Sequence, residues 1–168
     1  MKLTIMKNYE LKLSYAEPKY WWNRTLSVDS KEWKDLRRVI LERDNWTCNF
    51  CGIRLAKYLI VDHIDGNATN NDLSNLRLNC PACDRIRHCG LAGLNKEVIT
   101  GISQLSQLEI VRRTVECYLK TGKVVDPRVI DPNVTNLGLY LPIEVVEEEY
   151  KGFFTKKMKF SYLQFIVK

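Results

Sequence analysis

Two cysteine pairs, Cys48-x-x-Cys51 and Cys80-x-x-Cys83, constrain this chain more than any other feature. A two-residue gap lets both sulfurs of a pair face one point, with backbone N–H groups of the turn directed at them. Two such pairs supply the four thiolates of a tetrahedral Zn²⁺ site. Zinc has no redox chemistry, so a closed four-sulfur site is structural, and it would tie the end of one helix to the start of another. A thioredoxin-like pair needs only one C-x-x-C, on a βαβ unit that the pattern does not contain. Cys89 and Cys117 fall outside the spacing and read as plain thiols.

The cysteine reading depends on compartment. The N-terminal stretch MKLTIMKNYELKLSY carries charges every few residues and lacks the apolar core of a signal peptide. No run of about 18 apolar residues exists, so no membrane insertion is expected. The expected location is the reducing cytoplasm, where six cysteines read as metal ligands or buried thiols before disulfides. A length of 168 residues suits one domain with tails or a small appendage. With 45% hydrophobic residues a real core can form, and a net charge of +6 permits a nucleic-acid partner without establishing one.

Along the chain, residues 9–16 alternate apolar and polar side chains and read as a short strand. The aromatic patch Tyr20-Trp21-Trp22 reads as packing for the first helix, or as a nucleic-acid stacking surface. That helix is expected over 31–43, capped by Asp29 or Ser30, with Trp33, Leu36, Val39 and Ile40 as its apolar stripe. Arg37, Arg38 and Arg43 lie off the stripe, on solvated faces from which they could touch phosphate. Residues 55–62 look like a strand running into His63, and 65–74 form a polar loop whose Asn67, Asn70 and Asn71 hold it by side-chain-to-backbone bonds. Leu76-Arg77-Leu78 make a second strand, and a short helix is expected over about 81–89. Beyond it, 91–102 read as a connection. Ser106 and Glu109 form a capping box for a helix to about Lys120, ended by Gly122, with Leu108, Val111, Val115, Tyr118 and Leu119 as core. Residues 123–140, with two Asp-Pro pairs, read as an extended linker. A last helix is expected near Pro142, with Glu147-Glu148-Glu149 solvated, and the Lys- and Phe-rich end reads as a strand or an interaction arm.

The space between the cysteine pairs carries more than a bare zinc ribbon needs. The run VDHIDGNATNNDLSNLRLNCPAC following C-x-x-C resembles the HNH (ββα-metal) endonucleases that carry a zinc-knuckle pair. The resemblance covers about residues 33–90. It implies an α+β fold: a small ββα-metal core stapled by the four cysteines over 31–92, an N-terminal strand and aromatic segment over 1–30, and a mainly helical C-terminal extension over 93–168. It implies a metal-dependent endonuclease that hydrolyses DNA phosphodiester bonds with one Mg²⁺ or Mn²⁺ ion. Asp62 resembles the first metal ligand, His63 the general base, and Asn75 the central Asn whose amide pins the loop. Adjacent strand residues point to opposite faces, so Asp62 and His63 serve one site only if the strand ends or bulges there. The alternative for His63 is a strand-end histidine satisfied by hydrogen bonds.

At the third motif position the family usually has His or Asn, and here it is Asp84. A carboxylate is a good ligand for a hard cation, but it makes the site more anionic and would weaken its attraction for phosphate. His88, one helical turn beyond, offers a substitute ligand. Arg77, Arg85 and Arg87 surround the expected site as phosphate contacts, or as solvated basic residues.

The frame also resembles a zinc-binding component of the Dot/Icm type IV coupling complex, through Arg43-Asp44, the four cysteines and the Asn70-Asn71-Asp72-Leu73-Ser74-Asn75-Leu76 run. In that family the fold serves protein assembly and the base is replaced, whereas this chain keeps His63. The resemblance therefore implies a second function, a non-catalytic adaptor in a secretion or DNA-processing complex, with a protein partner on the C-terminal extension. The nuclease resemblance implies DNA as partner and a homodimer.

Overall fold

The computed structural model describes residues 9–14, 23–138 and 149–168. The Tyr20-Trp21-Trp22 patch and the helix expected near Pro142, with Glu147 and Glu148, lie outside them.

Helix α1 spans Lys31–Arg43 and starts on Ser30, whose Oγ accepts from the Trp33 N–H at 3.1 Å. It buries Trp33 and Ile40. Val39, expected in the same stripe, is 46% exposed, because at 3.6 residues per turn it sits about 120° around the helix from Trp33. Arg43, expected on a solvated face, instead clamps the helix end. It donates to the carbonyls of Leu73 and Leu76 at 2.7 and 2.6 Å and pairs with Asp44.

Strand β1 (Ile60–His63) pairs antiparallel with β2 (Leu76–Asn79), in register Asp62 to Arg77 and His63 to Leu76. The strand expected from residue 55 starts late because Tyr58 takes a positive φ of 70°, which breaks extended backbone. Helix α2 (Pro81–Arg87) follows β2 directly, completing the ββα unit, with Pro81 in the first helical turn. At His88 the backbone leaves helical geometry, so the expected 81–89 helix divides into α2 and α3 (Cys89–Leu94). The N-terminal segment 9–14 alternates burial as expected, with Leu11 and Leu13 buried, but forms no sheet. Its backbone bonds go to the junction of the two helices, from Ser14 N–H to Ile86 C=O and from Cys89 N–H to Ser14 C=O.

Among the described residues after 93, strands accompany the helices. Strand β3 (Val98–Ile102) lies where a connection was expected, flanked antiparallel by β4 (Thr135–Gly138) and β5 (Tyr150–Phe154). Each of these strands is at most five residues long, too short for period-2 patterning to stand out. Helix α4 (Gln107–Thr121) begins at Ser106 and ends at left-handed Gly122 as its caps require. Leu119 of its expected core stripe is 57% exposed, since it lies about 180° around the helix from buried Ile110. The expected linker contains α5 (Pro127–Ile130), which the first Asp-Pro pair starts and Asp131 of the second ends. Asp126 caps α5, and Asp131 accepts from Ser103 Oγ at 2.5 Å.

One apolar core draws on Leu11, Trp33, Ile40, Leu78, Ile86, Val111, Phe154 and Phe160, and a second, smaller cluster joins Ile110, Ile130, Val134 and Phe153. The C-terminal end packs against the first core. Its Phe165 C=O accepts from Ala56 N–H at 2.9 Å, and its Val167 N–H donates to Arg54 C=O at 3.0 Å, just past the first cysteine pair.

Candidate metal centre and catalytic pocket

The first cysteine pair sits on a tight turn closed by Cys48 N–H to Ile53 C=O and by Gly52 N–H to Cys48 C=O. Gly52 takes φ +78°, a conformation that favours glycine. In the second pair Cys80 caps α2 and its sulfur accepts from the Cys83 N–H at 3.5 Å. The two turns are joined by Asn49 N–H to Leu78 C=O at 2.8 Å. All four Sγ atoms lie within 4.8 Å of one another, and Cys51 and Cys80 approach to 3.6 Å. Tetrahedral thiolate ligation puts neighbouring sulfurs about 3.8 Å apart, so the set can hold a metal ion. Burial pushes the Cys48 thiol up, but hydrogen bonds from Cys51, Cys80 and Cys83 outweigh it and hold Cys48 well below the usual range. The same hydrogen bonding with Cys48 and Cys51 drives Cys80 and Cys83 up. Without a cation, the cluster cannot carry four thiolates together.

The second convergence is at the ββα unit. Asp62, Asp84 and His88 each offer one ligand atom, and these atoms lie within 4.8 Å of one another. The His88 Nε2 is 3.2 Å from Asp62 Oδ1 and 3.7 Å from Asp84 Oδ1. The i,i+4 relation of Asp84 and His88 survives the helix break because His88 N–H still donates to Asp84 C=O at 2.9 Å. His88, the substitute ligand of the sequence reading, therefore stands beside Asp84.

Asp62 is buried, and its other oxygen is fully engaged. Oδ2 accepts from Arg77 Nε and Nη2 at 3.1 and 3.0 Å and from Arg87 Nε at 3.3 Å. Burial alone would raise Asp62, but the His88 hydrogen bond and the charges of Arg87, His88 and Arg77 hold it far below the carboxylate range. Asp84 has no comparable support, and desolvation raises it. Desolvation lowers His88, but the Asp62 hydrogen bond and the two carboxylate charges more than reverse this.

These contacts correct the expected phosphate contacts. Arg77 is 4% exposed and packs against the rings of Tyr9 and Phe50 at 4.7 and 4.4 Å. Arg87 bonds Asp62, Ser14 Oγ and the Ile64 carbonyl. Both are holders of Asp62, not groups facing a ligand. They also offset the excess of negative charge expected from Asp84. Arg85 spans Glu97 at 2.8 Å and Asp84 at 3.3 Å.

His63 is the last residue of β1 and is buried, at 6% exposure. The strand ends there in a turn, with Gly66 N–H donating to His63 C=O at 3.0 Å and Gly66 at φ +76°. Asp62 and His63 accordingly line one cavity of about 300 Å³, together with Asp84 and His88. The two side chains nonetheless have different partners: Asp62 meets α2, whereas His63 stacks on Trp33 at 6.2 Å and bonds the loop. His63 Nε2 lies 3.0 Å from Asn71 Oδ1, and Asn71 Nδ2 donates to Thr25 Oγ1 at 3.0 Å. With the Asn71 oxygen facing the ring, the tautomer protonated at Nε2 satisfies this contact and leaves Nδ1 as the open nitrogen.

Asn75 pins the loop as its motif position implies. Its Oδ1 accepts from Asp65 N–H at 3.1 Å, and its Nδ2 donates to Asp65 Oδ1 and the Asn70 carbonyl at 2.9 Å each. Asn67 and Asn70 brace the same loop. Asn71 departs from that pattern because its amide turns toward His63. Asn71, Trp33 and Arg24, which lines the cavity, are the site residues that sequence reasoning missed. The N-N-D run hints at a bonded loop but not at its direction, and Trp33 reads as a core residue of α1.

Residues 54–79 match the HNH endonuclease family. That stretch covers β1, the loop and β2, with Asp62, His63 and Asn75, and stops short of Asp84 and His88. The chain is also similar to the type 4 apparatus protein DotN of Legionella pneumophila, at 32% identity over 104 residues, covering 60% of this chain and 48% of DotN. It is similar to the Zorya protein ZorE of Escherichia coli, at 32% identity over 95 residues, covering 50% of this chain and 26% of ZorE. The chain thus spans about half the length of the first relative and a quarter of the second. No helix among the described residues is long and apolar enough to cross a membrane.

Proposed function

We propose that the chain is a metal-dependent HNH endonuclease acting on DNA, stapled by Zn²⁺ on Cys48, Cys51, Cys80 and Cys83. The observation that carries this reading is one cavity lined by three convergent metal-ligand side chains, the carboxylates Asp62 and Asp84 and the imidazole His88, and by a buried, oriented imidazole, His63. The donor set of two carboxylates and one imidazole suits Mg²⁺ or Mn²⁺. Such an ion, when bound, polarises the phosphate and stabilises the leaving oxygen. The residues of the chain do the rest. Asn71 and Trp33 fix the His63 ring, and Nδ1 takes the proton of the attacking water as general base. Arg77 and Arg87 hold Asp62 ionised and leave its other oxygen turned toward His88 in the ligand cluster. The test is nicking of supercoiled plasmid in Mg²⁺ or Mn²⁺ by the purified zinc-loaded protein, abolished by His63→Ala.

A second reading, an HNH-fold adaptor in a larger assembly, is favoured by the likeness to DotN, which runs over 104 residues while the nuclease-family match covers only 54–79. Plasmid left intact by folded wild-type protein in both metals would select it.

A further inference from the structure

Four arginines stand at or beside the cavity, and three are engaged. Arg77 and Arg87 hold Asp62, and Arg85 pairs with Glu97 and Asp84. The fourth, Arg24, is exposed, lines the cavity, and has no carboxylate partner among the described residues. Its position is nevertheless set. The guanidinium carbon lies 4.9 Å from the centre of the Trp33 ring, and that ring stacks on His63 with planes 19° apart. A guanidinium held over an aromatic ring is attracted by the ring itself and keeps N–H donors available for an oxygen ligand. A planar fork of donors at the mouth of a metal-ligand cavity matches the non-bridging oxygens of a phosphodiester. Arg77 is buried against Asp62 and Arg87 is tied to Asp62, Ser14 and the Ile64 carbonyl, so neither takes that part.

We infer that Arg24 is the phosphate-binding cation of this cavity, held at the mouth by Trp33 and gripping the backbone phosphate of the nucleic-acid strand that enters. This deepens the nuclease reading and rests on it for the identity of the ligand. It also gives Trp33 a second task, since one ring positions both the base and the phosphate anchor.

The test measures binding of a fluorescein-labelled DNA duplex by anisotropy without added divalent ion, across a salt series, for wild type, Arg24→Ala and Arg24→Lys. Plasmid cleavage in Mn²⁺ is followed in parallel. Arg24→Ala is expected to weaken binding about tenfold and to reduce the slope of log affinity against log salt by about one. Arg24→Lys keeps the charge, so it should restore the slope while recovering cleavage only in part, because ammonium cannot fork. An Arg24→Ala protein that matches wild type in affinity and slope overturns the inference, and if wild type still cuts plasmid the nuclease reading stands without it. A changed slope with no cleavage by wild type supports Arg24 and removes the nuclease reading. A wild-type protein that neither binds nor cuts removes both.

Discussion

Asp62 and Arg77 face each other across the β1–β2 ladder, joined by two hydrogen bonds of 3.0 and 3.1 Å, with side chains only 2% and 5% exposed. The same carboxylate turns its other oxygen to His88. One residue therefore serves both the stability of the ββα unit and the ligand cluster. Asp62→Asn leaves Arg77 buried without its counter-charge, and the expected loss is about 3–5 kcal/mol of unfolding free energy in urea. Asp62→Leu with Arg77→Met should recover much of that stability and none of the metal binding. The folded pKa of Asp62 is depressed, so its contribution is present above the unfolded value of about 3.9 and is lost as pH falls through the folded value. An Asp62→Asn protein as stable as wild type at pH 7 would show that the pair contributes nothing net.

Asn71 decides which nitrogen of His63 is basic. Asn71→Ala removes the acceptor at Nε2 and releases the ring, so turnover is expected to fall about tenfold to a hundredfold. Mn²⁺ affinity should stay the same, because neither residue is in the ligand cluster. The two measurements separate a positioning role from a folding role, since loss of both together would mean that the loop had collapsed.

Metal binding should depend on pH through His88. Its folded pKa is raised, so in the metal-free protein its stabilising charge is complete below the unfolded value of about 6.5 and is lost as pH rises through the folded value. A ligating imidazole is neutral, so binding expels that proton. Mn²⁺ affinity, followed by electron paramagnetic resonance, is expected to rise about tenfold per pH unit up to the folded pKa of His88 and then level off. His88→Ala should weaken binding and flatten the profile. A wild-type profile that is flat from pH 6 to 8 would exclude His88 as a ligand.

The cysteine cluster and the C-terminal end are coupled through Tyr162. Its hydroxyl is buried with no hydrogen-bond partner. Burial first, and then the charge of the neighbouring cysteine sulfurs, push it far above the usual phenol range. Cys48→Ser should release zinc and unfold the domain. Tyr162→Phe should keep the fold but speed zinc release to a chelator and shift the thiolate-to-metal band of the Co²⁺-substituted protein. If the hydroxyl were merely stranded, removing it would instead raise stability and leave the band in place.

Local signals in the sequence carry a good part of this architecture. The C-x-x-C spacing defines the cysteine cluster because two intervening residues suffice to close each turn. Ser30, Ser106 and Gly122 mark helix ends because caps act within one turn of backbone. Asp62, His63 and Asn75 stand out because their motif is contiguous across a single hairpin, and Asn75 proves to pin its loop. What was illegible depended on partners distant in sequence. Whether Arg77 faces solvent or Asp62 is decided by β1–β2 register and by the rings of Tyr9 and Phe50. The direction of Asn71 is decided by Thr25, and the place of Arg24 by the face of Trp33. The strands after residue 93 exist because β3 finds β4 and β5 far along the chain, a pairing that no short window contains. The sequence by itself determined the cysteine staple and the hairpin that carries the acid and the histidine, because both are written in near-neighbour spacing. Only the tertiary structure decided that His88 joins the two aspartates and that two of the three expected arginines are inward-facing supports, because charge pairing in a buried, low-dielectric site is a property of the packed chain.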